Sequence, residues 1–244
     1  MNMLLTGCLA ASLSTAIGAF PAMLFTRVTH RGRDVLLAFT AGIMVSASTY
    51  GLIPSALKLS NLYVLTAGIL LGTAILTLME RFVPHEEPRH AADPSERGIG
   101  STYLFLAAMT LHNLPEGLSV GVSYGSDDQS LGAIVALSIG LQNVPEGFLI
   151  SLFLLTHGMR RREALGWTVM TGLVELVFCA LGYGFAGSFA GIVPYGLAFA
   201  AGAMLFVVYK ELIPESHGDG NERASTFSFI LGLLAMIGMT HYLQ

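Results

Sequence analysis

Two short stretches carry the residues that could do chemistry. His112-Asn113-Leu114-Pro115-Glu116-Gly117 and Gln142-Asn143-Val144-Pro145-Glu146-Gly147 repeat one pattern, polar-Asn-x-Pro-Glu-Gly, thirty residues apart. Imidazole with carboxylates is a ligand set suited to zinc and its first-row neighbours. His112 and Glu116 are four residues apart, as are Gln142 and Glu146, so each pair shares one helix face. A divalent ion between them would offset the glutamate charge. Each proline removes an N–H, so the carbonyls of Leu111 and Leu141 lose their helical partners and both helices should kink. In a membrane, such carbonyls must be satisfied by protein, water or an ion.

The elements that must position these residues are membrane helices. Of 244 residues, 53% are hydrophobic and 11% charged, against about 25% charged in a soluble domain. A chain so poor in charge cannot cover a surface facing water, and the bilayer is its natural solvent. Net charge is −4 with no basic block, which excludes nucleic acid as a partner. A spanning helix needs about 20 largely apolar residues. Eight segments qualify: roughly 3–26, 34–57, 62–82, 99–124, 130–155, 163–186, 192–213 and 225–243. The segments are continuously apolar rather than alternating, which excludes a barrel. The expectation is an all-α integral membrane protein of eight transmembrane helices, one domain over 1–244, with the fourth and fifth helices kinked at proline. Leu5-Thr6-Gly7-Cys8 has the look of a lipoprotein cleavage box, but no Lys or Arg precedes it and the apolar run before it is short, so the N-terminus reads as the first span. Cys8 and Cys179 lie in apolar stretches without ligand spacing, so neither a disulfide framework nor a Cys-type zinc site is expected.

Charge fixes the expected orientation. With eight spans, eleven of the twelve Lys and Arg residues fall on one side and Lys58 alone on the other. The positive-inside rule then places both termini outside and the 83–98 loop in the cytoplasm of a multi-pass cell-membrane protein. Each motif begins about twelve residues into its span, which at about 1.5 Å per residue is near the middle of a ~30 Å core. Spans four and five run antiparallel, so the motifs meet at one level. Ionisable groups there mark a pathway or a site. Glu175, mid-way along span six among apolar neighbours, needs a partner for the same reason.

The paired motifs within eight spans resemble the ZIP (Zrt/Irt-like) family of metal transporters. Gln142 in the second motif, with Glu211-Leu212-Ile213-Pro214-Glu215 after span seven, resembles its GufA-like branch. The resemblance implies a homodimer that moves metal into the cytosol by sliding a transport bundle past a scaffold. It also implies a two-metal site. One metal would be bound by His112, Glu116, Gln142 and Glu146, with Met44 approaching from span two. The other would be bound by Asn113, Asn143, Glu146 and Glu175, with Glu146 bridging. Met44 has an ordinary alternative in core packing.

Three positions depart from the family pattern. Asn143 stands where Asp is frequent and Gln142 where His is frequent, so the site is less charged and its hold on a second metal is in question. Lys210 stands where a second Glu is frequent; it either pairs with Glu211 and gates exit or, as favoured here, snorkels to the interface. His85 and His90, bracketing Glu86 and Glu87, and His217 with Asp219, are further candidates for handling metal on the cytoplasmic side. Zinc is the expected substrate, with Cd2+, Fe2+ and Mn2+ as competitors, and no prosthetic group is expected. A rival reading as an intramembrane zinc hydrolase lacks the HExxH helix motif, so the chain is not read as an enzyme. A metal sensor or an exporter would use the same ligands.

Overall fold

In a computed structural model, the residues described are 2–24, 28–82, 99–126, 129–188, 190–218 and 220–243. The 83–98 loop with His85 and His90, Asp127-Asp128 and Asp219 lie outside the described residues. Among those described, every regular element is helical. Span one is α1 (Asn2–Leu24). Span two begins as α2 (His30–Ser46), passes through a π-helical turn at Ala47–Leu52 and continues as α3 (Ile53–Leu59). Span three is α4 (Leu62–Phe82). Spans four, five and six are α5 (Ile99–Tyr124), α6 (Gln129–Thr156) and α7 (Arg161–Ser188). Span seven is α8 (Val193–Val207), a π-helical turn at Val208–Leu212, and α9 (Ile213–Ser216). Span eight is α10 (Glu222–Leu243).

Seven of these spans are long and apolar enough to cross a membrane by length and composition. The eighth, α5, has 26 residues and carries the polar motif in its middle. Large apolar side chains stand outward along the helices, including Leu24 at 78%, Leu70 at 63% and Leu231 at 61% exposure. Such a surface suits lipid and would associate in water. The chain is a multi-pass membrane protein.

The helices pack in two sets. In one, α1 lies along α6 and α7, and α5 lies along α7 and α6; in the other, α2 lies along α10, and α4 along α8. The sets meet mainly where α5 touches α8 and α2 touches α6. Close approach within each set depends on glycine. A Cβ at Gly117 would collide with the Glu175 carbonyl oxygen, and one at Gly147 with the Thr15 carbonyl oxygen. The motif glycines therefore let α5 seat against α7 and α6 against α1. Gly68 and Gly72 face Ala198 and Phe199 of α8, so this small-residue pair packs helices within one chain.

The two π-helical turns share a local cause. Each precedes Leu-Ile-Pro: Leu52-Ile53-Pro54 and Leu212-Ile213-Pro214. In each, the isoleucine N–H reaches back five residues, Ile53 to the Ser48 carbonyl and Ile213 to the Val208 carbonyl. Proline cannot donate the next backbone bond, and the wider turn just ahead of it keeps the chain helical.

The expectation of unpaired cysteines needs correction. Cys8 of α1 and Cys179 of α7 form a disulfide across 171 residues of sequence, with Cα atoms 6.1 Å apart. Isolated cysteines in two apolar segments gave no spacing signal, because the pairing arises only when α1 packs against α7.

Candidate metal centre

Both motifs lie inside continuous helices, with Pro115 within α5 and Pro145 within α6. Their polar side chains are buried: His112, Asn113, Glu116, Gln142, Asn143 and Glu146 are all at most 7% exposed, and Glu175 is 1% exposed. Helical periodicity turns these residues inward: Glu116 meets Gln142 and Asn143 meets Glu175 within the set formed by α1, α5, α6 and α7, while His112 faces the span of α8. Apolar neighbours in the same helices face outward.

The structure joins them in specific pairs. Gln142 Nε2 donates to Glu116 Oε1, linking the two motifs. Asn143 Nδ2 donates to Glu175 Oε2 at 2.7 Å and to the Ala11 carbonyl at 3.1 Å, tying α6 to α7 and α1. Ser12 Oγ donates to the Gly172 carbonyl at 2.5 Å, a second polar tie between α1 and α7. His112 takes a different partner from the one its spacing suggests. Its Nε2 lies 2.5 Å from Glu211 Oε2.

Glu211 is the residue that sequence reasoning undervalued. In the sequence it falls near the cytoplasmic end of the seventh segment, and the ligand set implied by the resemblance does not include it. It sits in the π-helical turn at 8% exposure, while its neighbours Tyr209 and Lys210 face outward. A π turn offsets the helical register, and such turns are frequent at functional sites. The signal available in sequence was the proline three residues later. Lys210 does not pair with Glu211: its Nζ lies 3.0 Å from Glu80 Oε1. A small cavity of about 10 Å³ lies beside His112 and is bordered by Glu211 and Glu80.

Several buried atoms at this centre have no hydrogen-bond partner among the described residues. They are Glu116 Oε2, Gln142 Oε1, Asn143 Oδ1, Glu146 Oε1, Glu175 Oε1 and both polar atoms of Asn113. All but Asn113 Nδ2 are oxygen acceptors. Leaving such atoms unsatisfied costs about 1–3 kcal/mol each, so the chemistry of this set of acceptors suits an electropositive partner. Among the described residues, no group of three or more His, Cys, Asp or Glu side chains is arranged to hold an ion by itself. The available donors are mixed instead: carboxylates from three helices interleaved with carboxamides.

The remaining expected residues are placed as follows. Met44 is 3% exposed within the apolar core, where packing alone accounts for its burial. His217 Nδ1 is engaged with the Ile213 carbonyl at 2.8 Å, and His157 stacks on Phe153 with ring centroids 3.9 Å apart.

An eight-helix membrane protein with a buried, mixed carboxylate–amide centre is the class that this fold defines. A family model described as ZIP Zinc transporter matches residues 83–240. The zinc transporter GufA of Myxococcus xanthus is 36% identical over 96% of both chains. The zinc transporter ZIPB of Bordetella bronchiseptica is 33% identical over 95% of this chain and 78% of its own. Human zinc transporter ZIP11 is 27% identical over 92% of each. The chain belongs to the ZIP family, in its GufA-like branch.

Proposed function

We propose that this protein carries zinc across the cell membrane into the cytosol through the centre between α5 and α6. The observation that carries the reading is the set of unpartnered buried oxygens on Glu116, Gln142, Asn143, Glu146 and Glu175. A hydrated cation enters from the side of the termini and exchanges water for these oxygens. His112 and Glu116 with Gln142 serve one ion, and Asn113 with Asn143 and Glu175 serve a second. Glu146 is shared between them, and Met44 closes the first position from α2.

Release requires ligation loose enough to permit departure. The split of the helices into two sets supports sliding of the α1, α5, α6 and α7 set past the α2, α4, α8 and α10 set. The pair His112–Glu211 spans the α5–α8 contact between them, so it must break when the sets move. The protein acts as a homodimer, with both termini outside and the whole chain serving as one domain. Fe2+, Mn2+ and Cd2+ compete, because affinity follows the metal as much as the protein.

Zinc flux into proteoliposomes tests this reading. A transporter accumulates zinc in the lumen, and competing cations reduce the rate. Protein that binds zinc yet moves none, under a pH gradient of either direction, overturns transport and favours a sensor.

A further inference from the structure

The disulfide stands beside the polar centre. Cys179 follows Glu175 by four residues on one face of α7, and Cys8 precedes Ala11 by three on α1. Asn143 bonds both the Ala11 carbonyl and Glu175. The sulfur pair therefore lies one helical turn, about 6 Å, from that network, toward the side of the termini. Both cysteines are buried, at 5% and 1% exposure, and they are the only two in the chain.

We propose that Cys8 and Cys179 form a reducible station for a soft divalent cation, closed while the sulfurs are bonded to each other and open as two thiolates when reduced. The proposal rests on the reading of the neighbouring centre as a metal pathway. Thiolate sulfur favours zinc and softer metals over hard cations. Two sulfurs sharing one zinc at about 2.3 Å lie roughly 3.8 Å apart, so opening a bridge of about 2.05 Å requires them to part by under ~2 Å. Side-chain rotation supplies that movement while α1 and α7 stay in place. Glu175, whose Oε1 has no partner, is the nearest carboxylate along α7 on that face, one turn inward.

The chemistry balances with a thiol reductant. A dithiol gives two electrons and two protons to the bridge; the sulfur–sulfur bond breaks, two thiols form, and the reductant closes to its own disulfide. A divalent cation then displaces both thiol protons, which leave to water, and forms two metal–sulfur bonds. An oxidising exterior keeps the station closed, so the redox state of the medium sets whether a thiolate site precedes the oxygen-rich one.

Cadmium titration of the full-length protein in detergent tests this, comparing oxidised protein with protein reduced by dithiothreitol that is then removed. Reduced protein should gain the ultraviolet thiolate-to-cadmium charge-transfer band and one further cadmium per chain. Oxidised protein should show neither, and Cys8→Ser or Cys179→Ser should abolish the gain. Three results overturn the proposal: two free thiols by alkylation without the band, a bridge that resists the reductant in the folded protein, or free thiols in protein purified without reductant. Glu146→Ala separates the two readings. It should lower cadmium stoichiometry while leaving the thiolate band; unchanged stoichiometry would count against the oxygen-rich centre alone.

Discussion

His112 and Glu211 face one another across the contact between α5 and the α8 span, Nε2 to Oε2 at 2.5 Å. The pair fixes the imidazole ring from outside the repeated motif. A carboxylate held against a ligand imidazole sets its orientation and raises its basicity, and loss of such a partner typically costs about 10–100-fold in metal affinity or activity. Glu211→Gln should therefore raise half-saturating zinc by about 10–100-fold in a flux assay while the protein stays folded. Unchanged zinc dependence would remove Glu211 from the account.

Asn143 is held by two hydrogen bonds, to Glu175 and to the Ala11 carbonyl. Asn143→Leu should destabilise the protein by about 1–3 kcal/mol, read as a lower melting temperature in detergent. Asn143→Asp should behave differently, because a carboxylate there repels Glu175 unless a cation intervenes. That variant should melt lower than native without zinc and gain more from added zinc. Equal zinc-induced shifts in the two proteins would contradict the placement of an ion beside Asn143.

The motif glycines give a stability test with an internal control. Gly147→Ala and Gly117→Ala place a methyl against backbone of a neighbouring helix, and overpacking of this kind costs about 1–3 kcal/mol. Gly166→Ala adds a methyl into open space on α7. Thermal melts should rank Gly166→Ala well above the other two, and equal melting of all three would show that these helix contacts are looser than described.

Lys210 pairs with Glu80, and its side chain is 52% exposed. Pairs so open to their surroundings contribute about 0–1 kcal/mol. Lys210→Met should leave the melting temperature and half-saturating zinc close to native, since Glu211 keeps its partner His112. A large rise in half-saturating zinc would return Lys210 to the pathway.

The spans were legible because each is a long apolar run: α4 and α5 coincide with the segments expected, and the other helix ends differ by a few residues. The buried motif residues were legible because His, Asn, Gln and Glu are costly in lipid and the pattern recurs. What sequence did not reveal depends on register and on contact between distant helices. Glu211 lies near the end of its segment, and its burial depends on the π turn, which sequence does not show. Cys8 and Cys179 lie in apolar stretches without ligand spacing, and only the packing of α1 on α7 pairs them. The partnering of Glu116 with Gln142 and of Asn143 with Glu175 was likewise invisible, since spacing along one helix says nothing about the partner on another.

Glu146 is the residue shared by both proposed metal positions, so passage of zinc through the centre depends on it more than on any single ligand. Zinc flux into proteoliposomes should be compared between native protein and Glu146→Ala, each shown by its melting curve to be folded. Native protein should fill the vesicles, and the variant should fall to the rate of empty liposomes. A folded Glu146→Ala protein transporting zinc at the native rate would contradict passage through this centre.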